Sequence, residues 1–183
     1  MEEQILFAGF GGQGVLSMSK FVAESCMSAG KNVSWVPSYG PEMRGGTCNC
    51  TVTVADDEIA SPITGSPQVA IVLNRPSLEK FESKVAPGGT LVVNTSLVDQ
   101  LPTRTDVTIL PLPVNELAEE LKNPRGANMI LLGICMQYCQ WVDPEYAMDC
   151  FEHIFAGKKE SVIEQNRQAF AFGVQYAREH WKK

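Results

Sequence analysis

The sequence predicts an α/β fold, a three-layer α/β/α sandwich built on a mixed, mostly parallel sheet. Three observations support this prediction: a β-type stretch runs into a glycine-rich turn and a helix, short continuous apolar runs are typical of strands covered on both faces, and helical patterns alternate with them. The 183 residues contain no linker, repeat or low-complexity stretch. We therefore expect residues 1–183 to form a single domain.

The first predicted unit is a strand, a turn and a helix. Residues 4–10 are apolar and β-type, and residues 15–29 repeat apolar positions at helical spacing before Gly30. A G-x-G-G-x-G turn joins them, with Gly9, Gly11, Gly12, Gln13 and Gly14. Because glycine adopts positive φ, backbone N–H groups at the helix start can face a phosphate or carboxylate. The turn predicts an anion site, and glycines that only permit close packing are the alternative.

A dinucleotide site would also need an acidic residue about 20 residues further on, at the end of the second strand. Residues 32–36 form that predicted strand, and Pro37 follows it closely. The first carboxylate after this strand is Glu42, beyond the proline. This arrangement disfavours nicotinamide or flavin binding.

The next segment predicts antiparallel strands. Residues 47–54 alternate in polarity, Asp56 and Asp57 form a predicted hairpin turn, and residues 58–61 are a predicted return strand.

The remaining segments alternate between strands and helices. Buried strands are predicted at residues 69–73, 91–94 and 107–110, and a short helix is predicted from Asn74 to residue 85. Further helices are predicted at residues 114–121, 127–139, 144–155 and 161–180. The sheet should therefore have six or seven strands of mixed direction.

Composition excludes several functional classes. The net charge is −6, and the 15 Lys and Arg residues are scattered, which argues against a nucleic-acid partner. The sequence shows neither a secretory signal nor an apolar run of membrane-spanning length, so we expect a cytoplasmic protein without a membrane partner.

The six cysteines do not follow a metal-binding pattern. Cys48 and Cys50 would lie on one face of a strand, Cys135 and Cys139 are one helical turn apart, and no C-x-x-C occurs. We expect reduced, buried and inert thiols, with no metal and no cofactor on this chain.

A second loop carries charged residues between glycines and prolines. Its candidate residues are Tyr39, Gly40, Glu42, Arg44, Gly45 and Gly46. Because ligands gather outside the carboxyl ends of parallel strands, we expect this loop to share a crevice with the glycine turn. Arg44 would then bind a phosphate or carboxylate, and a weak surface ion pair with Glu42 is the alternative.

These motifs together resemble a known family. The ordered set is G-F-G-G-Q-G-V, then Y-G-P-E-M-R-G-G-T-C, then Ser61-Pro62, then Asn128 with L-L-G, then Asn166 with a following Ala and Gly173. It resembles the γ subunit of 2-oxoacid:ferredoxin, or acceptor, oxidoreductases over nearly the whole chain. The sequence is most similar to the γ chain of 2-oxoglutarate-type complexes.

The resemblance implies a subunit of a larger enzyme that is not active alone. Such complexes oxidatively decarboxylate a 2-oxo acid, transfer the acyl group to coenzyme A, and pass electrons to ferredoxin or another acceptor. Thiamine diphosphate, magnesium and iron–sulfur clusters are expected on companion subunits, and no catalytic residue is assigned to this chain.

Two roles for the motif residues remain open. In one hypothesis residues 9–14 and Arg44 approach the nucleotide or pyrophosphate of coenzyme A. Asn128 would contact a ligand, or alternatively cap or bridge helices. In the other hypothesis residues 39–46 grip a catalytic subunit. The alternatives for the whole chain are a stand-alone nucleotide-binding oxidoreductase and a pure scaffold.

Overall fold

The computed structural model describes residues 2–38, 47–61 and 65–181. The strands found there are β1 (Glu2–Phe10), β2 (Asn32–Ser38), β3 (Thr47–Ala55), β4 (Val69–Val72), β5 (Thr90–Asn94) and β6 (Thr108–Leu112). The α-helices are α1 (Val15–Ser28), α2 (Arg75–Phe81), α3 (Val114–Glu120), α4 (Ala127–Cys139), α5 (Pro144–Asp149), α6 (Phe151–Ile154) and α7 (Glu160–His180). Two 3-10 helices span Glu82–Lys84 and Pro124–Gly126.

The strands form one sheet in the order β2-β3-β1-β4-β5-β6. β1, β4, β5 and β6 pair in parallel, whereas β3 is antiparallel to both of its neighbours, β1 and β2. Of the six strands, only β3 therefore runs against the others, which confirms the predicted mixed, mostly parallel sheet. The carboxyl ends of the other five strands lie along one edge of the sheet.

Helices cover both faces of the sheet, but unequally. Ile5, Phe7 and Ile71 pack on the face that carries α1, α3, α4, α5, α6 and α7. Leu6, Ala8 and Val72 point to the other face, where Leu78 and Phe81 of α2 pack against them. The alternation of side chains along β1 thus supplies two cores, and the predicted three-layer sandwich is confirmed.

The predicted return strand is wrong. Residues 58–61 form no strand. A strand that turned back after β3 would need a free edge of β3, but β1 occupies one edge and β2 occupies the other. Pairing with the N-terminal strand therefore takes the place of the expected hairpin.

Several element boundaries also differ from the prediction, and the helix predicted up to residue 85 ends as α2 at Phe81 and is followed by a 3-10 helix. The helix expected at residues 144–155 divides into α5 and α6, because the N–H of Cys150 bonds three residues back to Ala147 (3.2 Å) and tightens the turn. The last strand continues past its predicted end and includes Pro111. In the sheet that the described residues form, β6 is an edge strand that pairs with β5 alone, so the missing N–H of Pro111 costs the sheet no internal bond.

Candidate functional site at the carboxyl edge of the sheet

The glycine turn has the backbone geometry that the sequence predicted. β1 ends at Phe10, α1 begins at Val15, and Gly12 and Gly14 have φ values of 90° and 83°. Residues with a side chain rarely adopt these backbone φ angles, so glycine is favoured at both positions. The N-cap residue of α1 is Gly14, which has no side chain that could cap the helix. The first turn of this helix therefore offers backbone N–H groups to an anion.

The side chain of Gln13 stabilises the turn through hydrogen bonds. Its Oε1 accepts hydrogen bonds from the backbone N–H of Phe10 (2.6 Å) and from Nδ2 of Asn74 (3.1 Å), and its Nε2 donates to the carbonyl of Leu73 (3.3 Å). Asn74 in turn caps α2, because its Oδ1 accepts from the N–H of Ser77 (2.8 Å). Gln13 thus ties the ends of β1 and β4 together and positions the turn.

Asn128 lies directly against the turn. It belongs to the first turn of α4, and a Cβ atom built on Gly14 would overlap its side-chain amide. Gly9 lies five positions before Gly14, inside β1, where a Cβ atom would come 2.7 Å from Oε1 of Gln13. The structure therefore brings Gly9, Gln13, Gly14 and Asn128 into one cluster, and close packing accounts for the glycines at positions 9 and 14.

Two cavities open on either side of the turn. One, of about 270 Å³, is lined by residues that include Gly11, Gly14 and Ser17, together with Cys48 of β3. The other, of about 350 Å³, is lined by Gly12, Gln13 and Asn128 and continues past the ends of β4, β5 and β6. We call the second cavity the edge cleft. Its position outside the carboxyl ends of parallel strands is the usual ligand position in such sheets.

The edge cleft contains polar residues that the sequence analysis missed. Arg125 lines it from the 3-10 helix before α4. Asn94 lines it from the end of β5, and Asn115 lines it from the start of α3. Asn94 is buried, with Nδ2 donating to Oδ1 of Asn115 (3.2 Å) and Oδ1 accepting from the N–H of Ser96 (3.1 Å). Arg125 is exposed and supplies a positive charge beside the amide groups.

The residues of the second loop lie outside the described part of the chain. These are Tyr39, Gly40, Glu42, Arg44, Gly45 and Gly46, and Pro62 is likewise outside. The flanking residues are described: Thr47 pairs with Phe10, and Ser38 pairs with Asn49. The loop therefore leaves and rejoins the sheet at the edge that carries the glycine turn. A crevice shared by the two loops stays a prediction.

The cysteines lie in apolar surroundings. All six are free thiols, and all except the half-buried Cys139 are buried. Desolvation raises the pKa of Cys26 and of Cys135 to about 12, and that of Cys50 to about 11. Cys48 and Cys50 point to the same core, as strand alternation predicted. Among residues 2–38, 47–61 and 65–181, no group of three or more His, Cys, Asp or Glu side chains could hold a metal ion.

Within the same ranges, no helix combines the length and the apolar character needed to cross a membrane.

Comparison with protein families identifies a match over residues 4–176, to the family described as pyruvate ferredoxin/flavodoxin oxidoreductase. The chain is 36% identical over 180 residues to the ketoisovalerate oxidoreductase subunit VorA of Methanothermobacter thermautotrophicus, covering 98% of this chain and 37% of that protein. It is 30% identical over 183 residues to the 2-oxoglutarate synthase subunit KorC of Methanocaldococcus jannaschii, and this match covers 98% of this chain and 96% of KorC. The chain thus spans about 37% of the length of VorA and almost all of KorC.

Two solved structures share the fold. A 2-oxoglutarate:ferredoxin oxidoreductase from Magnetococcus marinus, with 2-oxoglutarate, coenzyme A and succinyl-CoA bound, matches with a TM-score of 0.87 and 26% identity, over 100% of this chain and 32% of that one. The γ subunit of a keto/oxoacid ferredoxin oxidoreductase from Geobacter sulfurreducens matches with a TM-score of 0.80 and 27% identity. This match covers 96% of this chain and 98% of that subunit. The second match covers almost the whole of a γ subunit.

Proposed function

Because this chain belongs to the pyruvate ferredoxin/flavodoxin oxidoreductase family, we propose that it is the γ subunit of a 2-oxoacid:ferredoxin, or acceptor, oxidoreductase complex. The complex would oxidatively decarboxylate a 2-oxo acid to its acyl-CoA. Relatives named for ketoisovalerate and for 2-oxoglutarate both match, so the proposed substrate is the class of 2-oxo acids. Relatives named as subunits favour this role over a stand-alone nucleotide-binding oxidoreductase.

The redox groups would belong to companion subunits. Thiamine diphosphate, magnesium and iron–sulfur clusters are the groups that this reaction class uses. The thiols of this chain do not suit a cluster, because burial raises the pKa of Cys26, Cys50 and Cys135, and because the described residues contain no group of three or more Cys, His, Asp or Glu side chains that could hold a metal ion. We also propose that residues 1–183 act as one domain and that the protein is cytoplasmic, where reduced thiols persist.

The observation that carries the proposed ligand role is the uncapped glycine turn between two cavities at the carboxyl edge of the sheet. An anion such as the pyrophosphate of coenzyme A would bind the N–H groups at the start of α1. Arg44, from the second loop, would supply a positive charge. Asn128 fixes the shape of the turn from the other side, through its contact with Gly14.

The complex can be tested by reconstitution. The companion subunits, purified with and without this chain, are assayed for acceptor reduction that depends on both the 2-oxo acid and coenzyme A. We expect activity only when this chain is present, and none from this chain alone. Turnover by the isolated chain, or full activity without it, would contradict the proposal.

The variant Arg44→Ala separates the ligand role from the interface role. If the loop binds coenzyme A, the variant assembles normally and the KM for coenzyme A rises. If residues 39–46 instead grip a catalytic subunit, the variant separates from the complex on size-exclusion chromatography. An unchanged KM in an intact complex would contradict the ligand role.

A further inference from the structure

A third cavity lies between the end of α3 and the second half of α7. It measures about 340 Å³ and is lined by Glu120, Phe172, Gln175, Tyr176, Glu179 and His180. Five of these residues lie on α7 at spacings of three and four, which places them on one face of that helix. We call this cavity the α3–α7 pocket.

One wall of the pocket is aromatic. The rings of Tyr176 and His180 stack with their centroids 3.9 Å apart and their planes at 18°. The ring of Trp181 packs beside them, with its centroid 6.0 Å from each. A hydrogen bond between Nδ1 of His180 and the carbonyl of Tyr176 (2.8 Å) fixes the stack on the helix. These contacts hold the ring faces in place before any partner arrives.

The rim of the pocket is acidic. Glu120 and Glu179 are both exposed, and Glu179 accepts a hydrogen bond from Nε2 of Gln175 (2.7 Å). Within residues 2–38, 47–61 and 65–181, no Lys or Arg lines the pocket. The neighbouring Arg178 is directed elsewhere, to Oε1 of Gln137 (3.0 Å) and to Glu145 (3.1 Å). Two carboxylates beside aromatic faces favour a cation.

The pocket is separate from the edge cleft. α7 runs alongside α4 in the same direction, since Asn123 before α4 contacts Gln165, and Gln137 near its end contacts Arg178. The glycine turn meets α4 at Asn128, whereas the aromatic wall lies near Tyr138, which contacts Trp181. Ten residues of helix separate these points, or about 15 Å.

We propose that the α3–α7 pocket receives an arginine side chain from a companion subunit. This inference rests on the proposed function, because it takes the partner to be a chain of the same complex. A planar guanidinium can stack on the Tyr176–His180 pair while its N–H groups bond the two carboxylates. The compact ammonium of lysine offers no plane to stack. Charge complementarity therefore favours a cation, and the aromatic faces favour arginine over lysine.

The test compares two doubly substituted chains in the assembled complex. The first carries Glu120→Gln and Glu179→Gln, which remove both charges and keep an acceptor for Gln175. The control carries Glu119→Gln and Glu164→Gln, on the same two helices but outside the pocket. Glu164 is a matched position, because it also accepts a hydrogen bond from a glutamine of α7, Gln168 (2.9 Å). Both chains lose two negative charges.

The measurement is the dissociation constant between each chain and the companion subunits, at low and high salt. We expect the pocket variant to bind about tenfold more weakly than wild type at low salt, with a smaller salt dependence, and the control to bind as wild type. Equal affinities for the two variants would overturn the proposal. So would a wild-type chain that self-associates through the pocket, seen as a dimer in sedimentation that the pocket variant lacks.

The outcomes distinguish this proposal from the proposed function. If the wild-type chain does not bind the companion subunits at all, the proposed function fails. If the wild-type chain binds and the pocket variant binds equally well, only the arginine contact fails.

Discussion

Gly133 of α4 and Gly173 of α7 bring the backbones of two helices into direct contact. A Cβ atom on Gly133 would overlap the carbonyl oxygen of Phe170, and one on Gly173 would overlap that of Ile130. The obstacle on each side is backbone, which cannot rotate away as a side chain can. This crossing fixes the distance between α4 and α7, and so it fixes where the first turn of α4 meets the glycine turn.

Alanine at either crossing position should destabilise the protein. We expect Gly133→Ala or Gly173→Ala to lower the free energy of unfolding by about 2 to 3 kcal/mol, because the added methyl group forces the helices apart. Urea titration followed by circular dichroism measures the change. Gly65→Ala is the control, since a Cβ atom at Gly65 meets no atom of the described residues within 4 Å. Equal effects at the three positions would contradict the close crossing.

The contact between Gly14 and Asn128 should appear as an energetic coupling. Gly14→Ala introduces both strain, at φ 83°, and a clash with the Asn128 amide, whereas Asn128→Ala removes the clash and leaves the strain. In a double-mutant cycle of unfolding free energies, we expect the second substitution to recover about 1 kcal/mol of the loss caused by the first. Strict additivity would mean that the amide has room to move aside.

Stability should fall at alkaline pH because of the buried thiols. Burial raises the pKa of Cys135 from 9.0 to about 12, so the folded state holds a proton that the unfolded state has already lost. Stability is therefore full below about pH 9 and declines above it, by about 1.4 kcal/mol per pH unit for each such thiol. Urea midpoints between pH 8 and pH 10 measure the decline.

A variant without this thiol tests the source of that decline. Cys135→Ala should show a shallower loss of stability with rising pH than wild type. Ile134→Ala, at the neighbouring buried position of α4, should lower stability at all pH values and leave the pH dependence unchanged. A Cys135→Ala variant with the wild-type slope would exclude this thiol as a cause.

Arg125 should contribute to ligand affinity in the edge cleft. In the assembled complex we expect Arg125→Ala to raise the KM for coenzyme A about tenfold, because a charge-assisted bond to an anionic group is lost. The control is Lys122→Ala. Lys122 lies three residues before Arg125 and outside the residues that line the cleft, so this variant removes the same charge from a different position. Steady-state kinetics measures both. A similar KM for the two variants would indicate a general charge effect instead.

Local sequence patterns predicted the turn and its neighbouring elements well. The glycine spacing gave the positive φ angles at Gly12 and Gly14, and the Asn-Arg-Pro sequence at residues 74–76 marked the capped start of α2. Both features depend on residues adjacent in the chain. The predicted strand at residues 58–61 failed because the partner of β3 is β1, which is distant in sequence.

The candidate site was predicted only in part for the same reason. Asn128 was identified by its motif, but its contact with Gly14 depends on how α4 packs beside α1. Arg125 lies in a Pro-Arg-Gly segment whose composition indicates a turn, and only the path of the chain from α3 to α4 brings it to the edge cleft. The buried Asn94 at the end of β5 was the one missed residue with a local signal, a polar side chain that ends an apolar strand.

The position of β1 in the sheet has a consequence for how the polypeptide folds as it is made. Ile5 pairs with Val52 on one side and with Val69 on the other, so both partners of the first strand are translated after it. One edge of β1 stays unpaired until β3 has left the ribosome, and the other edge stays unpaired until β4 has, because no local hairpin can satisfy the backbone donors and acceptors of β1. β1 therefore waits for both of its neighbours, and in that interval its apolar side chains are available to chaperones.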